Sequence, residues 1–139
     1  MHQVSITLKN RPKGFHLVTD EVLTALTRAL DTLPQVGLLH LFIQHTSAAL
    51  AINENSDATV RQDLNDSFDR LAPEDEHYRH NDEGLDDMPA HVKSVLCGSS
   101  VSVPISGGKL ALGTWQGLYL CEFRNQGGNR KLIATITGA

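Results

Sequence analysis

The stretch VGLLHLFIQ, residues 36–44, decides the fold class of this 139-residue chain. With the side-chain period of two that a strand imposes, its apolar residues divide between two faces, Leu38 and Phe42 on one and Leu39, Leu41 and Ile43 on the other. A strand that is apolar on both faces needs cover on both, from a helix and a sheet or from another subunit. The run is too short to span a bilayer.

Two strands and a helix are expected before this stretch. The alternating run QVSITLK (3–9) predicts a half-buried strand, and FHLV (15–18) predicts a short strand that pairs back on it. An apolar stripe at helical spacing follows, with Thr19 or Asp20 as the N-cap and Pro34 as the residue that stops the helix.

A strand and two helices are expected after residues 36–44. Residues 45–53 contain little turn chemistry and form another strand or a bulged continuation. The second helix has Val60, Leu64, Phe68 and Leu71 on its apolar face, with Asn55, Ser56 and Asp57 as possible caps. Asp86 or Asp87 caps a third, short helix over residues 88–97, MPAHVKSVLC.

The C-terminal part of the chain is expected to form four strands joined by the hairpin turns SGG, TWQG and NQGG. The strand runs are 100–105, 109–113, 118–123 and 131–136. Helices grouped early and strands grouped late predict an α+β fold with a mainly antiparallel sheet. Because 139 residues are the length of one domain, we expect a single domain over 1–139.

Composition and charge narrow the classes of function. The chain has 12 Lys+Arg against 16 Asp+Glu, a net charge of −4, and no basic run, so we expect no nucleic-acid partner. The N-terminus has no apolar signal segment, and Cys97 and Cys121 have no CxxC spacing. We therefore expect a cytoplasmic protein without a membrane partner, with two reduced, buried thiols rather than a disulfide. GxSxG, P-loop and GxGxxG motifs are absent from the sequence.

Seven histidines in so small a chain are the first candidates for chemistry. His45 lies where the apolar strand gives way to the polar run 44–47, and strand ends of this kind often carry sites. His80 lies in the acidic, aperiodic stretch 72–87, and His91 lies on the helix that follows. Two or three histidines and a carboxylate suit zinc or another first-row metal; the alternative is a solvated acidic loop that contains histidines. His2 and His16 are interpreted as incidental and His40 as a hydrogen-bonded core residue. His77 lies in the same acidic stretch and is the alternative to His80; the choice of His80, which leaves His77 incidental, depends on a family motif that covers residues 78–80.

Glu122 is the second candidate, because strand alternation places its carboxylate on the same face as Leu118 and Leu120. A carboxylate on an apolar face must be paired, liganded or protonated. Arg124 shares that face, so an ion pair with Arg124 is the alternative to a ligand or acid–base role.

Two glycine-containing turns are candidate anion sites. The turn 113–117 contains the only tryptophan, and its backbone N–H groups, together with Thr114 and Gln116, are suited to binding an anion. The alternative is a turn whose Trp115 packs on a neighbour or at a subunit interface. The turn 127–128 is either a phosphate site or an ordinary exposed hairpin tip, and the basic residues around it are Arg124, Arg130 and Lys131.

The motifs also form a pattern as a set. The C-terminal strands carry a spaced signature that comprises Ser100, Val103, Ile105, Gly108, Gly113-Thr114-Trp115-Gln116 and Leu118. Further blocks are QHTSAALAINEN (44–55), YRH (78–80) and MPAHVKS (88–94). Together these motifs resemble those of the YjbQ family, also called the secondary thiamine-phosphate synthase family, and the resemblance covers residues 3–137.

The resemblance implies a fold, an assembly and an activity. The fold is α+β with a mainly antiparallel, β-sandwich-like core and two or three helices, and the assembly is a homotrimer. The implied activity is a weak thiamine-phosphate synthase, which joins a pyrimidine pyrophosphate to a thiazole phosphate and releases pyrophosphate. The implied site, near a subunit boundary, is built from His45, His80, His91 and Glu122.

On this resemblance each candidate residue receives a role. A divalent metal, zinc or magnesium, would be held by His45, His80 and His91, and Glu122 would complete its ligands or orient an imidazole. The expected substrate-binding residues are Thr46, Asn53, Thr114, Trp115, Gln116 and Arg124. The alternative is a non-catalytic trimer that binds a small phosphorylated or anionic ligand without a metal. In both cases the expected partner is a small phosphorylated molecule.

Overall fold

The strands of this protein form two antiparallel sheets that face each other, and two helices cover the outer face of one of them. A computed structural model describes residues 1–75 and 77–139. The strands are β1 (His2–Thr7), β2 (Gly14–Leu17), β3 (Val36–Ile43), β4 (Ala48–Glu54), β5 (Ser100–Ser106), β6 (Lys109–Leu110), β7 (Gln116–Glu122) and β8 (Lys131–Gly138). The helices are α1 (Thr19–Ala29), α2 (Ala58–Leu71) and α3 (Asp87–Cys97). The expected α+β fold with an antiparallel, sandwich-like core is confirmed.

The main hydrophobic core lies between the two sheets. The first sheet has the strand order β1-β8-β3-β5-β6, and the second has the order β2-β7-β4. Leu39, Leu41 and Ile43 of β3 point into this core, where they share one cluster with Leu118 and Leu120 of β7. The apolar alternation of residues 36–44 therefore predicts the central strand and its inner face correctly.

A second core lies on the other face of the second sheet, under α2 and α3. Phe68 of α2 stacks on Phe123 with ring centroids 5.8 Å apart, and Phe15 of β2 meets both rings edge-on. Ala90 of α3 is fully buried in the same cluster. Aromatic contacts of this kind stabilise beyond the area they bury, so they hold α2 on the sheet, and Ala90 packs α3 into the same cluster. Among the described residues, none of the helices is long and apolar enough to cross a membrane.

The connections between the last strands differ from the predicted hairpins. Only β5 and β6 pair with each other. The strand β7 pairs with β2 and β4 in the second sheet, whereas β8 pairs with β1 and β3 in the first. Both faces of β7 are buried from Gly117 to Glu122, so burial at the centre of a sheet outweighs the local turn signal. The chain therefore crosses between the sheets over residues 123–130.

Two N-terminal expectations also need correction, and a third is decided between its alternatives. The short strand β2 pairs with β7 instead of β1. Residues from Ala48 onward form a separate strand, β4, in the second sheet and do not continue β3. Helix α1 ends at Ala29, well before Pro34, because Leu30 is already extended (φ −129°, ψ 122°). Leu30 and Leu33 still pack against the core from the extended chain, which explains the misleading helical stripe.

One face of the first sheet is uncovered in the described part of the chain. We call it the open face; on β3 it comprises Val36, Leu38, His40 and Phe42. Leu38 and Phe42 are 41% and 43% exposed. His40 is hydrogen-bonded as expected, to Ser102 at 3.1 Å, but it lies on this face and not in the core. The second sheet thus supplies only one of the two covers expected for β3.

A buried lysine fixes α3 to α2. Lys93 is 1% exposed, and its Nζ donates to Oδ1 of Asp69 at 2.6 Å; Lys13 donates to the other oxygen at 2.7 Å. Burial raises the pKa of Asp69, but the hydrogen bonds from the two lysines outweigh it and hold the pKa below its ordinary value. Since α3 carries His91, this ion pair helps to place the candidate site.

We expect Asp69→Asn to lower the free energy of unfolding at neutral pH by about 1–3 kcal/mol, because buried Lys93 loses its counter-charge. The folded-state pKa of Asp69 is depressed, so its contribution is present above the unfolded pKa and is lost as the pH falls through the folded pKa. Urea unfolding should therefore show a difference that shrinks as the pH falls from about 5 towards 2. The exposed Asp66→Asn is the matched control on the same helix. A loss of unfolding free energy that is the same at every pH would contradict the ion pair between Lys93 and Asp69.

Candidate cation site at one end of the sandwich

The candidate site lies at the end of the sandwich where the chain crosses twice between the sheets. Residues 44–47 lead from β3 into β4, and residues 123–130 lead from β7 into β8. The first turns of α3 reach the same end, where Nδ1 of His91 lies 2.8 Å from the carbonyl oxygen of Thr46. Three distant parts of the sequence are thereby brought together.

Asp87 is at the centre of this site and contacts two histidines. Its Oδ2 lies 2.7 Å from Nε2 of His80 and 3.1 Å from Nε2 of His91. One potential ligand atom from each of the three residues lies within 4.8 Å of the other two. Asp87 is buried, whereas the side chains of His80 and His91 are 51% and 30% exposed. The group therefore opens to solvent on its histidine side.

The hydrogen bond of His91 to the Thr46 carbonyl determines which nitrogen of its ring can bind a cation. Because the Thr46 carbonyl only accepts, Nδ1 of His91 must carry a proton and donate it. In a neutral ring, Nε2 then directs a lone pair at the Asp87 oxygen 3.1 Å away, and the two groups repel each other. Either a second proton on His91 or a cation between the groups removes this repulsion.

Arg124 holds the other side of Asp87. Its Nη1 donates to Oδ1 of Asp87 at 2.6 Å, and its Nε donates to Oδ2 of Asp86 at 2.9 Å. Burial raises the pKa of Asp87, but the hydrogen bonds from His80 and His91 and the nearby charges of His91 and Arg124 outweigh it, so the pKa lies below its ordinary value. Asp87 is thus held as an anion with one oxygen directed at the histidines.

The donor set fits a first-row divalent cation. Two imidazole nitrogens and one carboxylate oxygen are the ligands of open zinc sites, whereas magnesium and calcium prefer oxygen ligands. The contacts from Thr46 to His91 and from Arg124 to Asp87 are of the kind that orient metal ligands. The residues present therefore suit zinc better than magnesium.

Glu122 is completely buried and is paired with Arg130, not with Arg124. Nε of Arg130 donates to Oε1 at 2.8 Å, and Nη2 donates to Oε2 at 2.5 Å. The same Nη2 donates to the Ser47 hydroxyl at 3.0 Å. Arg124 offers only its backbone N–H, 3.2 Å from Oε2, because its guanidinium is bound to Asp86 and Asp87. An ion pair is therefore present, with a different arginine from the one expected, and a catalytic role for Glu122 stays a prediction.

The loop over this ion pair is neither an exposed hairpin tip nor a free basic patch. Arg124 and Arg130 are both bound to carboxylates. A Cβ at Gly127 would lie 2.3 Å from Oε1 of Glu122 and 2.6 Å from Nη2 of Arg130, so the backbone packs directly on the pair. A phosphate site around 127–128, one of the two alternatives for this turn, would therefore have no free charge from Arg124 or Arg130.

His45 lies beside the Glu122–Arg130 pair, outside the Asp87 group. Its Nε2 accepts a hydrogen bond from the backbone N–H of Lys131 at 2.8 Å. Burial and the nearby charge of Arg130 lower the pKa of His45, which favours the neutral ring. In the described ranges, the one three-residue ligand group found is His80, Asp87 and His91. A role for His45 as a metal ligand stays a prediction.

Several predicted substrate-binding residues lie at the opposite end of the sandwich: Asn53, Thr114, Trp115 and Gln116. Gln116 begins β7 and Glu122 ends it, and six steps along a strand span about 20 Å. Gln116 and Asn55 line a groove of about 1190 Å³ between β1 and α1. Within one chain, the structure brings Thr46 and Arg124 to the histidine cluster and leaves these four residues distant from it.

The turn before β7 is held by its own polar groups. The Gln116 N–H donates to the Gly113 carbonyl at 3.0 Å, and the Gly113 N–H donates to Oε1 of Gln116 at 2.8 Å. Nδ2 of Asn55 donates to the carbonyls of Thr114 and Gln116. Trp115 is 66% exposed. The turn therefore presents an aromatic surface that this chain leaves largely uncovered.

Two residues of the site were missed by the sequence analysis as participants. Asp87 was read only as a helix cap, although its spacing of four residues from His91 places both on one helix face. The side chain of Asp86, the other expected cap, makes no cap hydrogen bond and binds Arg124. Arg130 is expected only as one of the basic residues around the turn 127–128, because its pairing with Glu122 depends on the crossing between the sheets. His77 points outward and binds Asp75, as its incidental reading implies.

Comparisons with known proteins agree with this architecture. A family model described as UPF0047 protein YjbQ-like matches residues 4–139. The UPF0047 protein YjbQ of Salmonella typhimurium is 50% identical and that of Escherichia coli is 48% identical, each over 99% of this chain and 98% of the relative. A hypothetical protein from Aeropyrum pernix has a similar structure, with a TM-score of 0.86, 26% identity and full coverage of both chains. A conserved hypothetical protein from Thermus thermophilus has a TM-score of 0.82 and 31% identity, over 96% of this chain and 99% of that one.

We expect the protein, prepared without a histidine tag, to bind zinc, and Asp87→Asn to weaken that binding by at least about tenfold. The variant removes the one anionic ligand and keeps the size of the side chain. Isothermal titration with zinc measures the affinity, and the exposed Asp66→Asn controls for the change in net charge. Equal affinity in the Asp87 variant and the parent would show that this group is not the cation site.

Proposed function

Because this chain belongs to the UPF0047 family of YjbQ-like proteins, we propose that it is a small cytoplasmic homotrimeric enzyme with weak thiamine-phosphate synthase activity. It would join a pyrimidine pyrophosphate to a thiazole phosphate and release pyrophosphate. The observation that carries the proposal is the solvent-facing group of His80, Asp87 and His91, whose donor atoms suit a divalent cation. The proposed partners are a small phosphorylated molecule and further copies of the chain, without nucleic acid or membrane.

The proposed reaction makes one main electrostatic demand. The bond between the pyrimidine methylene carbon and the pyrophosphate oxygen breaks, and the leaving group takes the electron pair. When bound, a divalent cation supplies positive charge next to that leaving group. The protein itself keeps Asp87 ionised through Arg124 and orients His91 through the Thr46 carbonyl. His80, the most exposed of the three, is the side chain that meets a ligand arriving from solvent.

The open face of the first sheet supports the proposed trimer. Leu38 and Phe42 are too exposed for apolar residues at the centre of a sheet, and Val36 is 70% exposed beside them.

A cyclic trimer uses two different patches of each copy at every interface. We therefore propose that the Trp115 end of one copy meets the Asp87 end of the next, which would unite the candidate residues that one chain keeps about 20 Å apart.

We expect thiamine phosphate formation from the two substrates, with a rate at least about tenfold lower in Asp87→Asn than in the Asp66→Asn control. Chromatographic detection of product over time measures this, with and without a metal chelator. Product formation that is equal in both variants and insensitive to the chelator would contradict the proposal. Thiazole phosphate binding without turnover would instead identify a non-catalytic binding module.

Mixing two variants of low activity tests the shared site. We expect Asp87→Asn and Trp115→Ala each to form thiamine phosphate slowly as pure trimers. Unfolded together and refolded in equal amounts, they should regain activity, because about one site in four then combines an intact Asp87 with an intact Trp115 from the next copy. Sedimentation measures the assembly state of each sample. A refolded mixture no more active than the two pure variants would show that the two ends do not form one site.

A further inference from the structure

Two cysteines that the proposed chemistry does not use lie side by side at the C-terminal end of α3. Cys97 is the last residue of α3, and Cys121 lies on β7. Their Sγ atoms are 3.6 Å apart, and both are free thiols. Cys121 is completely buried, whereas Cys97 is only partly buried and so is more accessible than the sequence analysis expects.

The position of Cys97 is fixed by the backbone around it. The Leu50 N–H donates to the carbonyl of Gly98 at 3.2 Å, and the Gly98 N–H closes α3 on Ser94 at 2.9 Å. On the sheet, Cys121 is directly paired with Ala49 of β4. The two sulfurs are therefore held together by an anchored helix end and by the central strand of the second sheet.

We propose that Cys97 and Cys121 are an oxidative modification site that forms a reversible disulfide with low-molecular-weight disulfides as the oxidant. An S–S bond is about 2.05 Å long, so the sulfurs must approach by roughly 1.5 Å. Because the backbone beside both cysteines is hydrogen-bonded, rotation of the two side chains about their Cα–Cβ bonds supplies that small movement. The new bond would tie the C-terminal end of α3 to β7.

The order of attack follows from exposure. A sulfur hydrogen bond with Cys121 lowers the pKa of Cys97, although burial opposes it, whereas the same hydrogen bond and burial raise the pKa of Cys121, so Cys97 is the first thiolate to form. The Cys97 thiolate attacks one sulfur of the small disulfide and releases a small thiolate. Cys121 then loses its proton and attacks Sγ of Cys97, releasing the second small thiolate. The two cysteines lose two electrons and two protons, and the oxidant leaves as two thiols.

This disulfide would act on the same helix that carries the candidate cation site. Asp87 and His91 occupy the first turns of α3, and Cys97 ends it. At present the helix is held by Lys93 with Asp69 and by Ser94, whose hydroxyl donates to the carbonyl of Ala48 at 3.0 Å. A covalent link at the far end would restrict the helix further, and it depends on neither the metal nor the proposed reaction.

The test uses the full-length protein in glutathione redox buffers of graded ratio, followed by acid quench and mass spectrometry. We expect the protein to lose the mass of two hydrogen atoms and the peptides that contain Cys97 and Cys121 to be cross-linked. Dithiothreitol should reverse both changes. Cys121→Ala should instead collect a glutathione adduct on Cys97, and Cys97→Ala should stay unmodified. The oxidised parent should melt about 5 °C or more above the reduced parent.

Two results would overturn the proposal. One is a stable glutathione adduct on Cys97 in the parent protein, since Cys121 would then be unable to reach it. The other is a parent that stays unmodified under native conditions and reacts only after urea is added. Circular dichroism of each variant establishes that it is folded, so that an unreactive variant reflects chemistry and not unfolding.

Discussion

The buried ion pair between Glu122 and Arg130 is the interaction on which the candidate site depends. It lies where both crossings between the sheets come together, because Arg130 also binds Ser47 in the first crossing. A carboxylate with no exposed surface is costly unless it is fully paired, and here Arg130 donates to both oxygens. The pair therefore joins the two crossings and so helps to position His45 and Thr46, which lie in the first of them.

Around this fixed end, the candidate cation-binding group is assembled largely from a different element. Asp87 and His91 belong to α3, which is held by Lys93 with Asp69, while His80 comes from the loop before it. Arg124 links the two systems, since its backbone contacts Glu122 and its side chain holds Asp87. The site is thus rigid on its carboxylate side and open on its histidine side, an arrangement suited to exchange a ligand.

The sequence predicted the elements better than their connections. The period of residues 36–44 identified the central strand because every second side chain is buried against the second sheet. The hairpin between β5 and β6 forms, and the other two fail because turn residues describe only the turn, whereas the burial of β7 on both faces is a property of the whole fold. In the site, His91 is found from its residue type and position, and His80 from the family motif that covers it. The role of Asp87 is missed although His91 lies four residues along the same helix, and the pairing of Arg130 with Glu122 is missed because it depends on the crossing between the sheets.

The order of strands in the first sheet has a consequence for how the chain is made. Strand β8 lies between β1 and β3, so it supplies hydrogen bonds both to β1 and to the central strand. During translation β1 must therefore wait, unpaired, until β8 has left the ribosome, while β2, β4 and β7 can already pair. The second sheet, with its aromatic core, is the part that can fold first, and the first sheet closes on it once β8 has emerged.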